Sequence, residues 1–224
     1  MNSSRSFDRL AEIYRPLEYL AFGRDLERAR FVHLDRLRDC RSILVLGEGD
    51  GRCLEKLIAI APHARIDCLD LSTKMLARAA RRIAGRAAVE RVTFRQADLL
   101  TADMPPANYD SVITFFFLDC FTAAQCEAVM ARIGASLRPG ALWLWADFAV
   151  PARGWARWRA RIWIAALYAY FRWQTGLAAR ELPPVTRYFS ETGLVGRAEC
   201  TWQWGLVRSE VWLFPPNDRR MLSP

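Results

Sequence analysis

Between Ile43 and Ala146 five short apolar runs recur, and no other feature of the chain limits its fold as tightly. They are Ile43 to Leu46, Ala64 to Leu69 (ARIDCL), Val92 to Gln96 (VTFRQ), Ser111 to Phe116 (SVITFF) and Ala141 to Ala146 (ALWLWA), with helical stretches between most of them. Runs this short suit strands buried on both faces. Strands joined through helices need crossover connections, which predicts a parallel, doubly wound α/β sheet with helices on both sides.

Outside that block the pattern changes. The first forty residues read as a helical cap, with Leu10, Ile13, Tyr14 and Leu17 at helical spacing and a second run from Asp25 to Arg38. Thr122 and Gln125 have the spacing of a capping box, opening a helix that runs toward Leu137 and is expected to stop at Pro139-Gly140. Beyond Val150 comes an Arg- and Trp-rich segment, PARGWARWRARIWIAALYAYFRW, then a Pro-Pro turn, then a helix-like TRYFSETGL. The stretches RAECTWQW and VRSEVWLF, joined at Gly205-Leu206, predict an antiparallel hairpin. A chain of 224 residues organised this way is read as one domain, with residues 1–40 as a cap and 151–190 as a lid-like insertion.

Composition narrows the setting. The formal charge of +8 is almost wholly arginine, because Lys56 and Lys74 are the only lysines, and the arginines are dispersed in the manner of a solvated surface. Six cysteines without a C-x-x-C pair read as reduced thiols rather than a zinc site or a disulfide frame. The N-terminus, MNSSRSFDRLAEIYRP, lacks the apolar stretch of a signal peptide, so a cytoplasmic protein is expected. The longest apolar run, Ile162 to Phe171, is about half of the ~20 residues that span a bilayer.

The first strand leads into Gly47-Glu48-Gly49-Asp50-Gly51 and then a helix. This geometry lets a ligand approach the carboxyl edge of a sheet, although glycines there can also serve only a tight turn. A dinucleotide fingerprint would place a third glycine at Arg52, and Glu48 and Asp50 oppose a pyrophosphate, so a cationic ligand suits the loop better. The second strand ends at Asp70, nineteen residues past Gly51, where a carboxylate can accept ribose hydroxyls; the third ends in QADL, where Asp98 can accept an adenine amino proton. Each also has a local reading, Asp70 as a strand-end cap and Asp98 as the start of a turn.

In these segments (LGEGDG, LDLS, QADLL, YDSVITFFFLD and LRPGALWLWADF) the chain resembles the class I S-adenosylmethionine-dependent methyltransferases of small-molecule type. The resemblance covers residues 42 to 148 and reaches more loosely to the N-terminal FDRLAEIYRPLE and the C-terminal hairpin. It implies a Rossmann-like sheet and S-adenosylmethionine as cofactor. Gly47 and Gly49 would pass under its methionine portion, with Glu48 and Gly51 completing the loop; Asp70 would hold the ribose, and Leu71 and Met75 would border the adenine. Ala97, Asp98 and Leu99 would meet the adenine edge, Phe115 and Phe116 would lie below the sulfur, and Tyr14 would close over the methionine end. The acid that the family usually carries two residues before the first glycine is Val45 here, and Glu48 replaces a small residue or a thiol.

Methyl transfer from a sulfonium needs alignment and exclusion of water more than a strong base. Asp119, just after the fourth strand, is the candidate to take up the acceptor's proton, its alternative being a loop carboxylate paired with an arginine. His63 falls at the wrong edge of the sheet, and His33 sits on an N-terminal helix. The stretch FFLD lacks the D/N-P-P-aromatic box of nucleic-acid amino methylation, so the expected partner is a small aromatic or lipophilic acceptor and not a nucleic acid. On a helical wheel Arg157, Arg161 and Arg172 share a narrow stripe beside a broad apolar side holding Trp155, Trp158, Ile162 and Trp173, which reads as a lid or as a peripheral membrane contact through residues 155–173. Competing readings are a non-catalytic cofactor-binding scaffold, an RNA-binding paralogue and, at greater distance, an aminopropyltransferase, whose GGGDG loop is similar but whose D-x-x-D-P segment is missing.

Overall fold

The computed structural model describes residues 22–176 and 178–215, so the expected role of Tyr14 and most of the N-terminal cap lie outside the described residues. A short helix α1 (Asp25–Phe31) precedes β1 (Ser42–Leu46), α2 (Arg52–Ile60), β2 (Arg65–Asp70), α3 (Thr73–Ile83), β3 (Val92–Gln96) and β4 (Tyr109–Phe115). Then follow α4 (Ala123–Ser136), β5 (Leu137–Phe148), α5 (Gly154–Thr175), α6 (Val185–Glu191), β6 (Val195–Trp202) and β7 (Val207–Leu213). The strands form one sheet in the order β3-β2-β1-β4-β5-β7-β6. All pairs are parallel up to β5, and β7 runs antiparallel to both β5 and β6. The fold is the expected Rossmann-like one, including the C-terminal hairpin.

Strand β1 lies in the interior of the sheet, and Ile43, Leu44, Val45 and Leu46 are all buried, as a strand covered on both faces must be. On one face α1, α2 and α3 pack over Ile43, Val45 and Ile66; on the other, α4 and α6 cover Leu44, Leu46 and Trp143. Strands are added outward in opposite directions from β1 and β4, which lie side by side and parallel, so a crevice opens beyond their carboxyl ends.

Local sequence signals decide the starts of α3 and α4. The Thr122 hydroxyl accepts from the Gln125 amide while the Gln125 side chain receives the Thr122 amide, completing the capping box. Ser72 Oγ accepts the Met75 amide at 3.2 Å and starts α3.

Pro139-Gly140 does not terminate α4. The helix ends at Ser136, and the pair lies inside β5, in an irregularity where one residue of β4, Asp110, stands against four of β5. A bulge tolerates both residues: proline has no N–H to lose there, and Gly140 takes φ +84° while donating to the Phe214 carbonyl at 2.9 Å.

Under the far side of the sheet Phe189 of α6 is fully buried, with its ring 4.9 Å from Trp143, 4.8 Å from Trp212 and 6.2 Å from Trp145, centroid to centroid. This aromatic cluster ties β5 and β7 to α6 and fixes the antiparallel end of the sheet. Replacing Phe189 by Ala is expected to cost about 3–5 kcal/mol, measured by urea unfolding, with α4 and the strand order unaffected.

Candidate functional site

At the carboxyl edge of β1, β2 and β4 lies a cavity of about 1140 Å³. A single small-molecule cleft usually encloses ~300–1,000 Å³, so this one has room for two ligands side by side. Of the residues expected at a site, Gly47, Glu48, Gly49, Asp70, Leu71, Met75, Ala97, Asp98, Leu99, Phe115, Phe116 and Asp119 all line it. Gly51 does not.

The three glycines share left-handed backbone, with φ of +66°, +72° and +87°, but have different neighbours. A Cβ at Gly47 would stand 2.4 Å from the Phe117 ring, and one at Gly51 would stand 2.6 Å from the backbone of Ala79 on α3. At Gly49 a Cβ would meet no protein atom within 4 Å. Only the middle glycine therefore clears space for something outside the protein. The outer two serve the loop's own packing against β4's loop and α3.

The two acids of this loop are engaged internally. Glu48 Oε1 accepts the Leu54 amide at 2.8 Å and so caps α2; burial pushes its carboxyl up to about 8, against the opposing pull of that hydrogen bond and of Arg30. Asp50 is held by Arg52 (3.1 Å) and Arg82 (3.2 Å). The loop is thus less anionic than its sequence, and its unsuitability for phosphate rests on the glycine spacing rather than on charge.

Asp70 and Asp98 each spend one carboxylate oxygen on the backbone ahead: Asp70 Oδ1 accepts the Ser72 amide (2.8 Å), and Asp98 Oδ1 accepts the Leu100 amide (2.9 Å). These are the local readings of both residues, and they orient the two carboxylates at neighbouring strand ends of one cavity.

On the opposite wall Asp119 sits in a short 3-10 turn after β4. Its amide donates to Asp147 Oδ2 at 3.2 Å, and its carbonyl accepts the Tyr168 hydroxyl at 2.7 Å, which fastens α5 to the turn. Burial raises the Asp119 carboxyl to about 6, with hydrogen bonds from Cys120 and Asp147 opposing. Asp147, buried at the end of β5, is raised further, by burial first and by the Asp119 charge second, so it keeps the proton longer of the two. His63 is exposed; His33 is buried, and burial lowers its imidazole against the opposing hydrogen bond with the Ser209 backbone. All six cysteines are free thiols, and among the described residues no cluster of His, Cys, Asp and Glu could hold a metal.

Several lining residues were not singled out from sequence. Phe148 and, from α5, Ile164, Leu167, Tyr168 and Phe171 form an aromatic and aliphatic wall beside Asp119. Arg30 of α1 stands 4.7 Å over the Phe116 ring. Phe116 itself has φ +52°, a conformation unfavourable for a bulky residue, at the edge of the crevice. The apolar run of β5, buried on both faces, signals burial for Asp147 but not its pairing with Asp119.

Residues 43–140 match the methyltransferase domain family. An uncharacterised methyltransferase of Mycobacterium tuberculosis is 24% identical over 164 residues, 69% of this chain and 79% of the relative. Among solved structures, an O-methyltransferase family protein from Burkholderia thailandensis superposes with a TM-score of 0.70 at 16% identity, covering 94% of this chain. This chain spans 59% of that protein's length. The N-methyltransferase NodS from Bradyrhizobium japonicum, solved with S-adenosylhomocysteine, superposes with a TM-score of 0.66 at 18% identity, covering 96% of this chain and all of the other.

Two outcomes follow from the loop geometry. Gly51→Ala is expected to lower the unfolding temperature more than Gly49→Ala, since both meet the same left-handed strain but only the first collides with backbone. A carboxyl raised on folding stabilises the fold while protonated and loses that contribution as pH climbs through its folded value. Glu48→Gln is therefore expected to leave thermal stability nearly unchanged at about pH 4.5 and to raise it by about 3 °C or more near pH 8.5, read by thermal scans at both pH values.

Proposed function

Because the chain has the fold of class I S-adenosylmethionine-dependent methyltransferases and its residues 43–140 match the methyltransferase domain family, we propose that it transfers a methyl group to a small aromatic or lipophilic acceptor bound under α5. One observation carries this reading: a cavity large enough for two ligands has strand-end carboxylates on one side and the half-buried Asp119 carboxylate beside an aromatic wall on the other.

The residues present fit the cofactor. The empty direction at Gly49 is a cradle that a side chain would fill, and Asp70 and Asp98 stand at the ends of adjacent strands. In this reading Asp70 receives the ribose hydroxyls, Leu71, Met75, Ala97, Asp98 and Leu99 enclose the base, and Phe115 and Phe116 form the floor below the sulfonium. The chain lacks an acid at Val45, and Glu48 is occupied with capping α2. When bound, the cofactor supplies an already activated methyl group.

What the protein adds is alignment and dryness. Ile164, Leu167 and Phe171 exclude water from the side of the cavity where the acceptor would lie. Tyr168 and Asp147 hold the Asp119 backbone from two directions, so its carboxylate faces the acceptor in a fixed geometry. At about 6, its proton affinity leaves it ionised at neutral pH and able to take the acceptor's proton as the new bond forms.

The first test is calorimetric titration with S-adenosylmethionine and S-adenosylhomocysteine, beside an Asp70→Ala control. Micromolar binding that the control loses is the expected result; absence of binding by folded protein would reject the reading and favour an RNA-binding paralogue or an aminopropyltransferase. Asp119→Asn should then lower kcat by about 10²-fold or more while leaving cofactor affinity within about twofold. Turnover of the unaltered protein should fall as pH drops through about 6.

A further inference from the structure

Helix α5 is apolar on two opposite faces. Its inner face presents Ala160, Ile164 and Tyr168, all buried against the domain. Its outer face carries Trp155, Trp158, Ile162 and Trp173 at 60, 69, 49 and 79% exposure, with small alanines 165, 166 and 169 between them. A helix that meets only water would place charge along the centre of that outer face. Here Arg157, Arg161 and Arg172 stand to one side, the fourth arginine, Arg159, is on the opposite flank donating to the Gln203 carbonyl, and the whole helix from Gly154 to Thr175 holds no acidic residue.

A second element extends the same surface. In the β6–β7 turn Gln203 and Trp204 both adopt left-handed backbone, φ +54° and +56°, in a place where glycine or asparagine would be the relaxed choice. The strained turn shows Trp204 to solvent at 65% exposure, with its ring 5.3 Å from Trp155 and Arg159 4.6 Å above it. Two elements distant in sequence thus display indoles side by side, edged by guanidinium groups.

We propose that this face docks on an anionic lipid bilayer, with α5 lying in the plane of the interface. Indoles favour the headgroup level, where an aromatic body meets acyl chains and the N–H stays hydrated, and guanidinium groups pair with phosphates. At about 33 Å the helix is long enough to lie along the surface, and no helix among the described residues is long and apolar enough to cross a membrane. A second copy of the chain is a poorer occupant, because apposing two such faces brings arginine rows together with no carboxylate on the helix to pair them. The proposal goes beyond the methyltransferase reading and does not need it.

The test is flotation of the full chain with vesicles of phosphatidylcholine containing about 30% phosphatidylglycerol, against pure phosphatidylcholine. The expected result is binding to the anionic vesicles with a blue shift of indole emission, weakened by about 0.5 M salt. Arg157→Glu with Arg161→Glu, and separately Trp158→Ser with Trp173→Ser, should each lower the partition coefficient about tenfold or more. All four side chains are exposed, so both variants should keep the unfolding temperature. Failure to float, equal binding to neutral and anionic vesicles, or variants that bind like the unaltered chain would each overturn the proposal. So would an absence of vesicle binding joined to a dimer, seen by light scattering, that the tryptophan variant dissolves. The vesicle arm uses no cofactor, so its failure and a failure of the cofactor titration are told apart.

Discussion

The architecture depends on a strand that water never reaches. With Ile43 to Leu46 buried on both faces, β1 cannot sit at an edge or offer a polar side, and each neighbour in a parallel sheet must arrive by a crossover. The crossovers fall on opposite faces to either side of β1, and that switch leaves the crevice between β1 and β4. Placement of the cavity is thus a consequence of topology, and the side chains around it come from the strand ends and following loops that the topology brings there.

Much of this was legible in order along the chain. The five strand positions, the Thr122 capping box, the terminal hairpin and the acids at the ends of β2 and β3 are local signals that the structure keeps. What the sequence hid depends on partners far away in the chain. Nothing near Gly47 or Gly51 announces Phe117 or Ala79, so three glycines at alternate positions looked like one device for one ligand. A helical wheel of α5 ranks the tryptophan side as its apolar side, whereas packing against the domain selects the side of Ala160, Ile164 and Tyr168. Pro139-Gly140 has the chemistry of a turn, but strand pairing outweighed it and accommodated both residues in a bulge.

The site also departs from what stability alone would choose. Asp119, Asp147 and Glu48 are carboxyls raised by burial, Phe116 holds an unfavourable backbone conformation, and all but Asp147 line the cavity. Apolar residues of similar size would pack there at lower cost. Such exceptions occur elsewhere too, at buried Glu210 and in the strained Gln203-Trp204 turn, but three of them share this one crevice, as expected of a site held at some cost in stability.

The Phe117 ring lying on Gly47 carries an implication for how relatives of this chain can diverge. The ring fills the space that any larger residue at position 47 would need, and it belongs to the loop after β4 that also carries Asp119. Positions 47 and 117 should therefore drift as a pair: a lineage that gains a side chain at 47 must first shrink 117. If the two ends of the cavity hold cofactor and acceptor as proposed, such a change would reshape both together, so specificity for the two ligands would evolve as one coupled trait.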